Sequence, residues 1–236
     1  MAAPTLSSPI TLTNGVVLPN RLAKAAMAEN MAPKSNLPDE NFKRVYADWA
    51  AGGWGLVMTG NVQIDPAHLG GPQDISVDHA KLHDAAYLKA WKEWADASTG
   101  NGTVTIVQIN HPGRQSPMGA GNRGLMAKAL APSPIPLNFG PGVIAWLLRA
   151  LLFGTPKEMS IEEIEVVIQQ FVEAGKLAYD SGFQGIEIHG AHGYLLGLSS
   201  SSIPMLTSAD GDNSSVHVFT DQQANRCIRR LCIKTS

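Results

Sequence analysis

The sequence predicts an α/β fold built from repeated β/α units, and three observations support this prediction. First, four short apolar runs next to glycine are typical of strands that are buried on both faces of a parallel sheet. Second, helical patterns alternate with these runs. Third, the turn that joins a helix to the next strand occurs twice with the same pattern. The predicted strands cover residues 22–27, 55–59, 104–109 and 185–189.

The predicted helices have recognisable starts and stops. They cover residues 39–51, 78–98 and 160–181. Asp39 is the expected N-cap of the first helix, because its short acceptor side chain can satisfy free backbone N–H groups, and Gly52 ends that helix. The third helix opens with a capping box of Ser160 and Glu163, and it ends at Gly182.

The repeated turn lies in segments 50–58 and 179–187. In both, glycine follows the helix, an aromatic residue comes next, and a second glycine enters the strand. An eight-fold β/α barrel and a doubly wound sheet both use such turns. A dinucleotide-type glycine fingerprint would follow the first strand of a doubly wound sheet, but Met27-Ala28-Glu29-Asn30 stands there. This observation favours the barrel.

Only four strands are predicted up to residue 189, whereas a complete barrel has eight strands in about 250 residues. The composition then changes: residues 199–202 are all serine, and residues 207–215 are mostly Ser, Asp, Gly and Asn. The sequence therefore predicts a TIM (β/α)8 barrel that is truncated after about four β/α units. Residues 1–197 form its N-terminal half, and residues 198–236 form an atypical, low-complexity and poorly ordered tail.

Composition limits the class of protein. The chain has 236 residues, 18 basic and 20 acidic side chains, and 44% hydrophobic residues. It can therefore bury a core, and the absence of a basic block argues against a nucleic-acid partner. The longest apolar run, 143–153, is too short to span a bilayer, so no membrane association is expected and the run is interpreted as an active-site lid or core packing. The only cysteines are Cys227 and Cys232, which, with no secretory signal pattern, favours a reducing, cytoplasmic location.

The strongest candidate site is the segment from His189 to Tyr194, which reads His-Gly-Ala-His-Gly-Tyr at the end of the fourth strand. Active sites of barrels occupy that end of the strands. His189 and His192 can donate hydrogen bonds to a substrate oxygen that gains negative charge, while Tyr194 transfers a proton. The two histidines could also supply two ligands to a metal, but a closed zinc site needs four. We therefore predict no metal here.

The ends of the other three strands carry weaker signals. Gln108 lies at the end of the third strand, and its amide can donate and accept at once, which suits a heterocycle with adjacent N–H and C=O groups. A structural glutamine is the alternative. Ala25, Ala26 and Met27 leave room for a flat ligand and offer it a polarizable surface, although alone they are ordinary core residues.

Together these strand ends resemble the old yellow enzyme family of FMN-dependent oxidoreductases. Four motifs carry the likeness, in the family's order, over residues 5 to about 197. They are Pro19-Asn20-Arg21-Leu22 leading into Ala25-Ala26-Met27, then Gly55-Leu56-Val57-Met58-Thr59-Gly60-Asn61-Val62, then Val107-Gln108-Ile109-Asn110-His111-Pro112-Gly113-Arg114-Gln115, and finally Glu187-Ile188-His189-Gly190-Ala191-His192-Gly193-Tyr194-Leu195-Leu196. The resemblance implies FMN as cofactor, NADH or NADPH as reductant, and activated alkenes such as α,β-unsaturated carbonyls as substrates.

The same resemblance implies roles for individual residues. Ala25, Ala26 and Met27 would lie along the flavin, Asn61 would lie near its reactive side, and Gln108 would pair with its pyrimidine edge. The resemblance also implies the catalytic and substrate-binding residues: His189 and His192 would bind the substrate oxygen, and Tyr194 would give a proton to carbon. After Leu196 the sequence departs from the family pattern. A catalytically inactive homologue that acts by association with another chain, including self-association, is therefore the alternative.

Overall fold

The computed structural model describes residues 3–201 and 215–217. The strands in chain order are β1 (Ile10–Thr11), β2 (Val17–Leu18), β3 (Ala23–Lys24), β4 (Leu56–Gln63), β5 (Ile75–Ser76), β6 (Val104–Asn110), β7 (Leu130–Ala131), β8 (Lys157–Glu158), β9 (Gly185–Ile188) and β10 (Ser215–His217). The α-helices are α1 (Glu40–Ala51), α2 (Ala85–Ser98), α3 (Val143–Leu152), α4 (Ile161–Ser181) and α5 (Leu195–Ser201).

The central sheet runs in the order β10-β9-β6-β4-β3, and β5 also pairs with β4. Strands β3, β4, β6 and β9 are parallel to one another, and their order in the sheet follows their order in the chain. Helix α1 separates β3 from β4, α2 separates β4 from β6, and α4 separates β6 from β9. The predicted β/α repeat is therefore confirmed, and the described sheet is open rather than closed into a ring. β10 adds an antiparallel strand beside β9.

The predicted helix ends are confirmed for α1 and α4. The Asp39 side chain accepts from the Phe42 N–H, and Gly52 is the C-cap of α1. Ser160 and Glu163 form the capping box at the start of α4. Gly182 ends α4 in the left-handed conformation, with φ of 109°, which glycine adopts without the steric penalty of a Cβ atom.

The second predicted helix, over 78–98, is wrong at its start. Residues His79–Lys81 form only a 3₁₀ turn, and α2 begins at Ala85. Asp78 caps the 3₁₀ turn and Asp84 caps α2. Each aspartate satisfies backbone N–H groups at a separate helix start, so the chain breaks between them.

The first predicted strand, over 22–27, is also wrong in extent and burial. Only Ala23–Lys24 pairs with β4, and Ala23 is exposed. β3 lies at the edge of the described sheet, so it has a strand on one side only. The second strand is longer than predicted and carries a register shift between Met58 and Asn61.

The main core lies between the sheet and helices α1, α2 and α4. Aromatic side chains fill its centre, and Trp94 contacts three of them with ring centroids 5.0–5.3 Å apart. The partners are Phe42, Tyr46 and Phe183. Such edge-on contacts add to the energy of burial and fix how the helices sit behind the strand ends.

The apolar run 143–153 forms helix α3, but none of its side chains is buried. The interpretation as core packing is therefore wrong, because no described element covers this helix; its role as a lid stays a prediction. Within the described part of the chain, no helix is long and apolar enough to cross a membrane. The predicted tail, residues 198–236, lies largely outside the described residues.

Candidate active site

The predicted site residues lie on four neighbouring strands at the same edge of the sheet. Because β3, β4, β6 and β9 are parallel, their carboxyl ends lie together. The register places Asn61 of β4 beside Gln108 of β6, and Gln108 beside Glu187 of β9. His189 follows β9 directly, and its N–H donates to the Ile109 carbonyl at the end of β6.

His189, His192 and Tyr194 form one cluster. The His192 Nδ1 atom lies 3.3 Å from the His189 Nε2 atom. The Tyr194 ring meets the His189 ring edge-on, with centroids 5.1 Å apart. His189 is buried, whereas His192 is exposed. The two imidazoles therefore lie close enough to converge on one oxygen atom, with the phenol beside them.

The backbone at His192 and the residue after it is held in an unusual conformation. His192 has φ of 56° and Gly193 has φ of 69°. A left-handed conformation is uncommon for a residue other than glycine and clusters at functional sites. The Gln115 amide donates to the His192 carbonyl at 2.6 Å. Gln115 thus positions His192, a role that the sequence interpretation missed.

The protonation of the cluster follows from its burial. Burial, with a smaller contribution from the neighbouring His192, lowers the pKa of His189 to about 4. Burial also raises the pKa of Tyr194, and the Asp74 charge adds to this effect. At neutral pH His189 is therefore a neutral imidazole and Tyr194 keeps its proton. These are the states required of a hydrogen-bond donor and a proton donor.

Asn61 lies on β4, which β6 separates from β9, and its side chain extends to this cluster. Its side chain lies close enough to the Tyr194 hydroxyl to lower the pKa of that group, against the larger effect of burial. The position of Asn61 near the reactive side of a flavin stays a prediction. The structure does bring Asn61 and Tyr194 together, although 133 residues separate them in the sequence numbering.

Gln108 is buried on β6, and its side chain lies close enough to the Glu187 carboxyl group to affect the pKa of that group. Burial raises the pKa of Glu187, and its Oε2 atom is buried without a hydrogen-bond partner. The sequence interpretation did not select Glu187. A signal was available, because Glu187 lies two residues before His189 and alternate residues of a strand share a face.

Ala25, Ala26 and Met27 lie just beyond β3, and strands β4 and β6 separate β3 from β9, which His189 follows. They leave the sheet at once, and Met27 is 57% exposed. The structure thus places them at the same edge as the histidine–tyrosine cluster but not in contact with it. An exposed sulfur and two small side chains leave room for a flat ring.

A polar network fixes this segment to β4. The Lys24 ammonium donates to the Ala25 carbonyl at 3.1 Å and to the Met58 carbonyl at 3.0 Å. Glu29 accepts from the Gly60 N–H at 2.7 Å and from the Tyr46 hydroxyl. The sequence interpretation missed Lys24, Glu29 and Tyr46 because their roles depend on contacts between segments that are far apart in the sequence.

The side chains at these strand ends fit an isoalloxazine ring. The Gln108 amide can donate and accept toward a ring edge with N–H and C=O groups. Next to it, the Glu187 Oε2 atom is buried and has no hydrogen-bond partner, so it can accept a further hydrogen bond. Ala25, Ala26 and Met27 would lie along the ring.

Comparison with known proteins identifies the family of the chain. The model of the NADH:flavin oxidoreductase / NADH oxidase family matches residues 5–198. The NADH-dependent flavin oxidoreductase iliE of Neonectria sp. (strain DH2) is 56% identical over 188 residues, which are 80% of this chain and 24% of that protein. The NADH-dependent flavin oxidoreductase iccE of Talaromyces variabilis is 49% identical over 191 residues, which are 81% of this chain and 46% of that protein.

Solved structures show the same fold. Morphinone reductase superposes with a TM-score of 0.70 at 19% identity, covering 99% of this chain and 59% of that structure. The chain therefore spans between about a quarter and three fifths of these relatives. The old yellow enzyme structures are TIM barrels, the family is FMN-dependent, and it takes its electrons from NADH or NADPH. The chain belongs to the NADH:flavin oxidoreductase / NADH oxidase family, of the old yellow enzyme type.

Proposed function

We propose that this chain carries the substrate-activating part of an FMN-dependent NAD(P)H oxidoreductase that reduces activated alkenes, such as α,β-unsaturated carbonyls. The observation that carries the proposal is the cluster of His189, His192 and Tyr194, with the Asn61 side chain close to Tyr194. Two imidazoles and a protonated phenol are suited to a substrate that gains charge on oxygen and a proton on carbon.

Each residue would have its own role in the reaction. His189 and His192 donate hydrogen bonds to the carbonyl or nitro oxygen and stabilise the negative charge that develops there. Tyr194 gives its proton to the carbon beside the carbonyl group. Gln115 holds the His192 backbone, so that the exposed ring stays near its partner. Bound FMN, reduced by NAD(P)H, supplies the hydride.

Two variants test this division in protein that holds FMN, if necessary together with a chain that supplies the rest of the barrel. His192→Ala removes one of two donors, and loss of a comparable oxyanion donor slows catalysis by about 100- to 1000-fold. Tyr194→Phe keeps the ring and should slow alkene reduction about 100-fold or more. Tyr194→Phe should scarcely affect quinone acceptors, which need no proton on carbon. Both variants should leave flavin reduction by NAD(P)H largely intact.

The control is Tyr179→Phe, which removes a hydroxyl from an exposed position on α4. It should change neither half-reaction. If the His192 and Tyr194 variants slow flavin reduction and alkene reduction equally, the assigned roles are wrong and the cluster is structural.

A second candidate function is association with another chain without catalysis. It is favoured by the edge strand β3 and by the uncovered apolar helix α3, two features found in the described residues. The purified protein separates the candidates. A yellow preparation supports the flavin enzyme, whereas a colourless protein that gains no flavin when FMN is added supports the second candidate.

A further inference from the structure

A second cluster of chemically active side chains lies outside the histidine–tyrosine site. It comprises Asp65, just after β4, and His68 and His111, the latter just after β6. One ligand-capable atom from each of the three residues lies within 4.8 Å of the others. We propose that His68 and His111, with Asp65 orienting His68, form a binding site for a divalent transition-metal ion such as Zn²⁺. This proposal does not depend on the flavin chemistry.

Two buried imidazole nitrogens carry the proposal. His68 is 7% exposed and His111 is 1% exposed. The Nε2 atom of each ring is buried and has no hydrogen-bond partner, and the ring centroids lie 4.9 Å apart. Buried polar atoms are nearly always satisfied, so two such atoms on adjacent rings indicate a missing ligand.

The carboxylate holds His68 in the state that a metal requires. The Asp65 Oδ2 atom lies 2.6 Å from the His68 Nδ1 atom. The Asp65 Oδ1 atom accepts from the Ala67 N–H at 2.8 Å, which fixes the carboxylate in turn. With the His68 proton held on Nδ1, the Nε2 lone pair is free. Carboxylates orient metal-binding histidines in this way.

His111 needs a local rearrangement. Its Nδ1 atom accepts from the Gly113 N–H at 3.0 Å, so the neutral ring carries its proton on Nε2. Coordination through Nε2 would move the proton to Nδ1 and break the Gly113 hydrogen bond. Ligand atoms around a tetrahedral zinc lie roughly 3.4 Å apart, given Zn–N bonds of about 2.1 Å. The cluster must therefore contract by about an ångström.

The surrounding charge selects the kind of ion. The Arg123 guanidinium interacts electrostatically with both Asp65 and His111. It donates to the Ser116 and Pro117 carbonyls. A single carboxylate near an arginine is a poor site for Ca²⁺ or Mg²⁺, which prefer several oxygen ligands. Two imidazoles favour Zn²⁺ or Co²⁺.

Metal titration tests the proposal. The chain is stripped with a chelator and titrated with Co²⁺, whose visible absorption reports coordination, and Zn²⁺ is then added as competitor. We expect one equivalent of Co²⁺, displaced by Zn²⁺ but not by Mg²⁺ or Ca²⁺. His68→Gln and the isosteric Asp65→Asn should each weaken binding by about 10- to 100-fold. The amide resonance of Gly113 should shift when Zn²⁺ binds.

The control is His83→Gln, which changes an exposed histidine and should leave binding unchanged. Circular dichroism checks that each variant is folded; should His68→Gln unfold, Asp65→Asn and the Gly113 signal still decide. The proposal is overturned if the wild-type chain binds no Co²⁺. It is also overturned if Asp65→Asn binds Co²⁺ as tightly as wild type, or if His192→Gln abolishes binding instead.

Discussion

The substitution Gly60→Ala tests whether the ends of β3 and β4 pack as described. Gly60 lies on β4 beside Asn61, and its N–H donates to Glu29. A Cβ atom at this position would lie 2.2 Å from the Glu29 Oε2 atom and 2.3 Å from the Met27 carbonyl oxygen. Carbon–oxygen contacts normally begin near about 3.3 Å. The Met27 backbone would therefore have to move by about an ångström.

Two costs combine in this variant. Overpacking a well-packed site costs about 1–3 kcal/mol, and losing a hydrogen bond to a charged group costs about 1.5–3 kcal/mol. We therefore expect the free energy of unfolding to fall by about 3 kcal/mol or more. The segment that contains Met27, which we propose lies along the flavin, should be displaced as well.

Urea denaturation measures the change, and Gly100→Ala is the matched control. No atom lies within 4 Å of a Cβ atom built at Gly100, and an alanine there should change stability by less than about 1 kcal/mol. If Gly60→Ala unfolds at the wild-type urea concentration, the segment after β3 does not pack against β4, and the placement of Met27 beside the site is wrong.

Two further predictions concern buried titratable groups. Glu29→Gln keeps acceptor atoms for Gly60 and Tyr46, so its unfolding free energy should stay within about 1 kcal/mol of wild type, whereas Glu29→Ala should lower it by about 1–3 kcal/mol; equal losses in a urea titration would contradict the network. The folded pKa of His189 is lowered from 6.5 to about 4, so between those pH values the unfolded chain binds more protons than the folded chain. The stabilising contribution is complete above pH 6.5 and is lost as the pH falls toward 4. His189→Gln should therefore show a shallower fall in Tm over this range than wild type, and an unchanged slope would refute the assignment.

The β/α repeat could be predicted from the sequence because it depends on local signals. Gly182 and the Ser160 capping box define helix ends through interactions within a few residues, and both were predicted correctly. The extent of β3 could not be predicted in the same way. An apolar run specifies burial only when a neighbour covers it, and β3 lies at the edge of the described sheet. Helix α3 shows the same limit, since its apolar side chains are uncovered.

The candidate site was predictable where one segment supplies the chemistry. His189, His192 and Tyr194 are close in sequence and lie in contact in the fold. Contacts between strands escaped prediction. The link from Asn61 to Tyr194 and the link from Gln108 to Glu187 arise from register across the sheet, which no local pattern specifies.

The metal-site cluster was missed for a related reason. Asp65 and His68 share a turn, but the third member, His111, comes from the next strand of the sheet. The sequence drew attention instead to the His-x-x-His spacing of His189 and His192. Spacing alone does not show which imidazole nitrogens lack a partner once the chain has folded.

Titration of the chain with FMN tests the central claim most directly. The flavin absorption spectrum and fluorescence report transfer of the ring from water to the site, and Gln108→Leu removes the amide expected to pair with its edge while keeping a similar volume. The account predicts saturable binding of one FMN per chain to wild type, weakened about tenfold or more in Gln108→Leu. Absence of any spectral change with wild type, or equal affinity for both proteins, would contradict the claim that these strand ends form a flavin site.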